Sequence, residues 1–244
     1  MRSALALLLL VQTAPALAGE PPKGLTTQVA EGSVGPYLAG LNLTLRDYAA
    51  VVAAHYYYAS TGTNIPLTVG PQGSSIVFDE PDGGHFDLHL TNGDATEPRP
   101  LTFYTSTGLA GTWTHAGQVL PVTFGFSTGF QGLSPTRWYG DVTADSDAAF
   151  EARVRTFLKA VTSGNRAMAA GVVAYPLTVN GAHRTIIRTR AQLLARWSTL
   201  FTPATVGALR KAIPHEMFVR DGMAMVASGT VWFNANGAKV LNLP

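Results

Sequence analysis

The densest run of chemistry-capable side chains is His85-Phe86-Asp87-Leu88-His89-Leu90. Two imidazoles and a carboxylate in alternation suit either metal ligation or the wet face of a strand. On a strand, His85, Asp87 and His89 share one face, and Phe86, Leu88 and Leu90 the other. The two His then stand ~13 Å apart, whereas an imidazole nitrogen sits ~2 Å from its ion. One straight strand therefore does not deliver both to one metal. Asp87 with a single His would need a helper from another strand, and the sequence names none. The run reads as a half-buried strand with a polar outer face, and no metal is assigned.

Other candidates weaken on inspection. Gly125-Phe126-Ser127-Thr128-Gly129 matches the nucleophile-elbow pattern, which needs a strand before the Ser and a helix after it. The following Phe130-Gln131-Gly132-Leu133-Ser134-Pro135 reads as a loop. His215-Glu216 suggests a general base, but neighbours on a strand point to opposite faces. His55, His115 and His183 are scattered. Asp82-Gly83-Gly84 lacks the acidic spacing of a calcium loop and reads as a turn. Gly32 and Gly35 form no phosphate loop, and no cofactor is expected. Arg184, Arg188, Arg190, Arg196, Arg210 and Lys211 read as a solvated junction rather than a nucleic-acid surface.

The elements that must position these groups change character near residue 140. Before it, short β-type runs are separated by turn signals such as Pro81-Asp82-Gly83-Gly84 and Asn92-Gly93. They include Leu41–Leu45, Val51–Tyr58, Ile65–Val69, Ser75–Asp79, His85–Leu90, Leu101–Tyr104, Leu109–Thr114 and Val119–Phe126. Such spacing predicts an antiparallel meander or small barrel. Leu45, Tyr48, Val52 and Tyr56 also fit a helical period. After residue 144 the period lengthens. Phe150, Val154, Phe157, Leu158 and Val161 predict a helix capped by Asp145 or Ser146, and Asn165 to Ala170 a second, short one. A hairpin at Asn180-Gly181 follows. Thr189 to Gln192 then has capping-box spacing ahead of Leu193, Leu194, Trp197, Leu200 and Phe201. Three strands close the chain. The expected division is a β-rich antiparallel module over 19–140 and an α+β domain over 146–244.

Bulk composition narrows the setting. The chain has 244 residues, 46% of them hydrophobic and 13% charged, well below the ~25% charged of average soluble chains. Its 17 basic and 15 acidic residues create no global field for nucleic acid. MRSALALLLLVQTAPALAGE has a basic start, an apolar run and Ala16-Leu17-Ala18, the features of a secretory signal peptide over 1–18. The run is shorter than the ~20 residues of a spanning helix, so no transmembrane segment is expected after cleavage. With no Cys, neither disulfides nor lipid attachment at a cysteine is available. The expected location is periplasmic or secreted.

The order helix, short helix, hairpin, helix and three strands over about residues 146 to 244 resembles the nuclear transport factor 2-like cone fold. So do Tyr175-Pro176-Leu177 and Gly229-Thr230-Val231-Trp232-Phe233, followed by Asn236-Gly237 and Lys239-Val240-Leu241. The series Tyr56-Tyr57-Tyr58, Ile65-Pro66-Leu67, Ile76 to Glu80, Gly84-His85-Phe86 and Leu109 to Trp113 resembles β-rich modules of uncharacterised bacterial envelope proteins. The resemblance implies a curved antiparallel sheet, covered by helices, around a pocket. Its expected walls are Tyr175, Trp197 and Trp232, with Phe218, Met223 and Met225. The functional expectation is an exported, two-module, non-enzymatic protein that binds a small molecule or an envelope protein in that pocket. A small-molecule isomerase or hydrolase, or an inhibitor of a secreted enzyme, are the alternatives. Dimerisation is left open. Protein recovered from the periplasm should begin at Gly19; an intact mass that retains Met1 would contradict this.

Overall fold

The computed structural model describes residues 21–73, 75–93 and 101–243, so the signal segment lies outside the described residues. Eight strands come first: β1 (Leu25–Val34), β2 (Tyr37–Arg46), β3 (Ala50–Tyr58), β4 (Ile65–Gln72), β5 (Ile76–Asp79), β6 (His85–Thr91), β7 (Gly108–His115) and β8 (Gln118–Gln131). Each pairs antiparallel with the next, and β1 pairs with β8 to close a barrel. An eight-stranded barrel has an interior about wide enough for side chains to fill. Here Leu41, Leu43, Tyr56, Phe78, Phe86 and Leu88 fill it. The period of two is plain on β6. Phe86 and Leu88 are buried while Asp87 and His89 are exposed, and His85 Nδ1 lies 2.7 Å from Asp79 Oδ1 on the outer wall.

The rest of the chain makes α1 (Asp147–Thr162), α2 (Arg166–Gly171), β9 (Val173–Asn180), β10 (Thr185–Ile187), α3 (Arg190–Ala195), α4 (Trp197–Leu200), α5 (Pro203–Arg210), β11 (Phe218–Arg220), β12 (Met223–Val226), β13 (Val231–Asn234) and β14 (Gly237–Asn242). These six strands form a second sheet in the order β10-β9-β14-β13-β12-β11. Phe150, Val154 and Phe157 of α1 pack with Leu193, Trp197 and Phe233 in a second apolar core. Local signals act as the sequence suggests. Ser146 caps α1 through Ala149 N at 3.2 Å, and Thr189 caps α3 through Gln192 N at 3.3 Å. No helix among the described residues is long and apolar enough to cross a membrane.

The expected fold class, an all-β module followed by a helix-covered α+β cone, requires correction. The chain is mostly β, with 45% strand and 19% helix, arranged as a closed barrel plus a second sheet. That sheet is mixed, because β14 runs parallel to β9. The helices are few because the helical periodicity after Thr189 does not propagate. It breaks into pieces of 6, 4 and 8 residues. Arg196 leaves helical geometry at φ −106 and ψ 13, and Pro203 must start a new helix because it has no N–H to continue the old one. Two smaller expectations also change. Leu101–Tyr104 is not a strand, since Ser106 N donates to Thr102 O at 2.9 Å in a turn. Gly125 to Gly129 lies wholly within β8, where Ser127 Oγ donates to Val29 O at 3.2 Å, so it forms no elbow.

Leu88 is 1% exposed, so Leu88→Ala should destabilise by ~2–5 kcal/mol. His89→Ala, on the outer wall, should change stability by less than ~0.5 kcal/mol. Denaturant midpoints measure both, and equal losses would contradict the observed faces.

Candidate functional site

The ladder pairs Asp79 with His85 and His85 with Thr114. Residues just beyond these pairs therefore gather at one end of the barrel. Glu80 leaves β5, Asp82 sits in the turn to β6, and His115 ends β7. One ligand-capable atom from each lies within 4.8 Å of the others. They face a cavity of about 650 Å³, which Tyr56, Tyr58, Ile65 and Trp113 also line. Glu80 is buried, and its Oε1 accepts from Tyr56 Oη at 2.7 Å and Trp113 Nε1 at 2.6 Å. Gly84 permits this placement, because a Cβ there would lie 2.4 Å from Glu80 Oε2. Burial raises the Glu80 carboxyl above its ordinary range. The Tyr56 and Trp113 bonds oppose that rise, and the hydrogen bond and charge of Asp82 add to it. Asp82 is lowered, chiefly by its bond to Glu80. The mouth thus combines two coupled carboxyls, an imidazole and aromatic faces, with no Lys or Arg among its lining residues.

A second polar cluster joins the barrel to the second sheet. Glu216 Oε1 lies 2.8 Å from His55 Nε2, and its Oε2 accepts from Asn42 Nδ2 at 2.7 Å. His215 Nε2 lies 2.8 Å from Asn64 Oδ1, and its Nδ1 lies 2.8 Å from Glu151 Oε1. Tyr139 Oη donates to Glu151 Oε1 at 3.0 Å, and Arg155 Nη2 donates to Oε2 at 3.1 Å. The expectation that His215 and Glu216 face apart fails. They precede β11 rather than lying within it, and Glu216 has φ 47, a left-handed turn that brings both side chains to the barrel. Their partners fully occupy them, so the arrangement is a clamp rather than an open site.

The expected pocket residues divide into two groups: Tyr175 and Trp197 pack in the second core, whereas Phe218, Met225 and Trp232 sit side by side across β11, β12 and β13. Trp197 is buried in the second core, 4.3 Å from the Phe201 ring between centroids. Trp232 lies on the other face of the sheet, with Phe218 at 6.1 Å and the Arg220 guanidinium 5.6 Å above it. Tyr175 donates to Ala170 O at 3.2 Å. Sequence reasoning missed Glu80, Asp82 and His115 as a group. Asp82 carried only its turn signal, and His115 was one of several scattered imidazoles. Placing Glu80 just past β5, Asp82 in the turn that follows and His115 at the end of β7, with the three strands paired in register, is the signal that brings them together. No family model, curated protein or solved structure matches the chain. The cone-fold and envelope-module resemblances rest on the quoted residues alone.

Glu216 supplies a pH test. Burial alone would raise its carboxyl, but the bonds from His55 and Asn42 and the charges of His55 and His215 prevail and lower it. A lowered carboxyl contributes stability that is present above its ordinary value of 4.5 and is lost as pH falls through the lower folded value. Glu216→Ala should cost ~3–5 kcal/mol at pH 7, and the penalty should shrink on acidification below that range. Denaturation at pH 7 and pH 3 measures this. A penalty independent of pH would count against the clamp.

Proposed function

We propose that the chain is an exported, non-enzymatic binding protein whose ligand site is the barrel mouth, and that the ligand presents a cation. The carrying observation is the buried Glu80 carboxyl, fixed beside Asp82 in a cavity walled by Tyr56, Tyr58 and Trp113. Carboxylates supply charge to such a group, and aromatic faces attract cations through their quadrupoles. The cavity volume lies within the range of small-molecule sites. This reading moves the expected binding function from the C-terminal sheet to the barrel, because Tyr175 and Trp197 are engaged in the second core while Trp232 stacks with Phe218 and Arg220 away from it. Export is supported by the N-terminal signal pattern. The isomerase, hydrolase and enzyme-inhibitor alternatives gain no observation of their own.

Titration of the full chain with spermidine at pH 7.5, followed by tryptophan fluorescence, tests the reading. A saturable change is expected, abolished in Glu80→Gln and weakened in Asp82→Asn. Asp82 is exposed, so the second variant should keep the fold, as circular dichroism can check. A response that survives both substitutions unchanged, or no saturable response, defeats it.

A further inference from the structure

We propose that the barrel mouth holds a divalent transition-metal ion between Glu80, Asp82 and His115. This deepens the cation reading above and rests on it. Three ligand-capable atoms, two from the β5–β6 turn and one from the end of β7, already lie within 4.8 Å of one another. Around a tetrahedral ion with bonds of ~2.1 Å, ligand atoms sit about 3.4 Å apart, so no pair need close by more than about 1.4 Å from the 4.8 Å limit. Asp82 is the natural mover, being exposed in the turn between β5 and β6.

Glu80 is held as a metal ligand needs to be. Tyr56 and Trp113 both donate to Oε1, which fixes the carboxylate plane, and Asp82 shares a hydrogen bond with the same carboxyl, so an ion would take the place of the proton between the two. Outer hydrogen bonds of this kind orient ligating carboxylates. Gly84 keeps the space beside Oε2 free of a side chain. The donor set distinguishes the ion. Calcium takes six to eight oxygens, and magnesium demands octahedral oxygen coordination. One imidazole with two carboxylates suits zinc and its first-row neighbours. Three protein ligands leave a coordination position facing the cavity, as in sites that admit water or a ligand. The His85, Asp87 and His89 face offers no equivalent group.

The test is calorimetric titration of the full chain with zinc chloride at pH 7.5, with thermal midpoints before and after EDTA. One zinc per chain and a raised midpoint reversed by EDTA are expected. His115→Ala and Asp82→Asn should each weaken binding by ~10–100-fold, and His89→Ala should leave it unchanged. Glu80→Gln should do the same as the first pair where it folds; the other two variants carry the test if it does not. Zinc binding unaffected by His115→Ala and Asp82→Asn, or binding of calcium in preference to zinc, overturns the assignment. Glu80-dependent binding of spermidine without zinc binding removes the metal but leaves the cation reading. Binding of neither removes both.

Discussion

On β3 the side chains of Tyr56 and Tyr58 enter the barrel, while His55 and Tyr57 leave it, and the two halves of the molecule meet across this alternation. Inward, Tyr56 donates to Glu80 at the mouth. Outward, His55 holds Glu216 and Tyr57 Oη reaches His215 O at 3.3 Å. A slip of one residue would exchange the two sets. It would drive an imidazole into the apolar interior and leave the Glu216 carboxylate buried without its partner. The second consequence alone costs several kcal/mol, so the register of β3 is fixed from both sides. Gly40 takes part, because a Cβ there would meet the Tyr57 ring at 2.3 Å.

The clamp and the cores do different work. Burying a large apolar side chain contributes ~1.5–3 kcal/mol, and each core holds many such groups. A buried ion pair gains little net stability, because desolvation offsets the attraction, yet losing one partner is expensive. The Glu216 and Glu151 network therefore specifies how the second sheet meets the barrel more than it stabilises either. Its placement also has a conformational cost. The left-handed backbone at Glu216 costs ~1–3 kcal/mol, and Arg155 Nε is buried without a hydrogen-bond partner among the described residues. Gly62, at φ 61, admits the Arg155 guanidinium where a Cβ would lie 2.1 Å from Nη2. Those costs are met because three bonds from the barrel side, from Asn42, His55 and Asn64, converge on the Glu216 carboxylate.

Much of the barrel was legible because strand period and turn chemistry are local. The alternation of Phe86, Leu88 and their polar neighbours fixed the faces of β6, and Pro81 to Gly84 marked its turn. The helix caps at Ser146 and Thr189 were equally readable. What escaped depends on distant pairing. Closure needs β1 to meet β8, about 100 residues later, and β14 lies parallel to β9 only after β10 to β13 have been placed. Helical periodicity after Thr189 gave correct local segments but an excessive total, because period counts residues and does not see the break at Arg196. Strand geometry would set His215 and Glu216 on opposite faces, and the left-handed turn at Glu216 removes that separation.

The mouth follows from the same constraint that holds the clamp. A closed barrel has no edge to yield, so the ends of β5, β6 and β7 are set by the ladder rather than by the loops between them. Glu80 inherits its position from Phe78 and Asp79 in register with Phe86 and His85, and Trp113 inherits its own from Phe86. Tyr56 is fixed by the clamp on the other side of β3. Three of the groups that shape the site are therefore anchored in rigid structure, and the adaptable one is Asp82 on its exposed turn. That division, a fixed buried carboxyl with one adaptable partner beside it, would let the proposed cation be gripped without reorganising the fold. It also explains why Glu80 and Trp113 tolerate burial of polar atoms at the end of an otherwise apolar core: each satisfies the other.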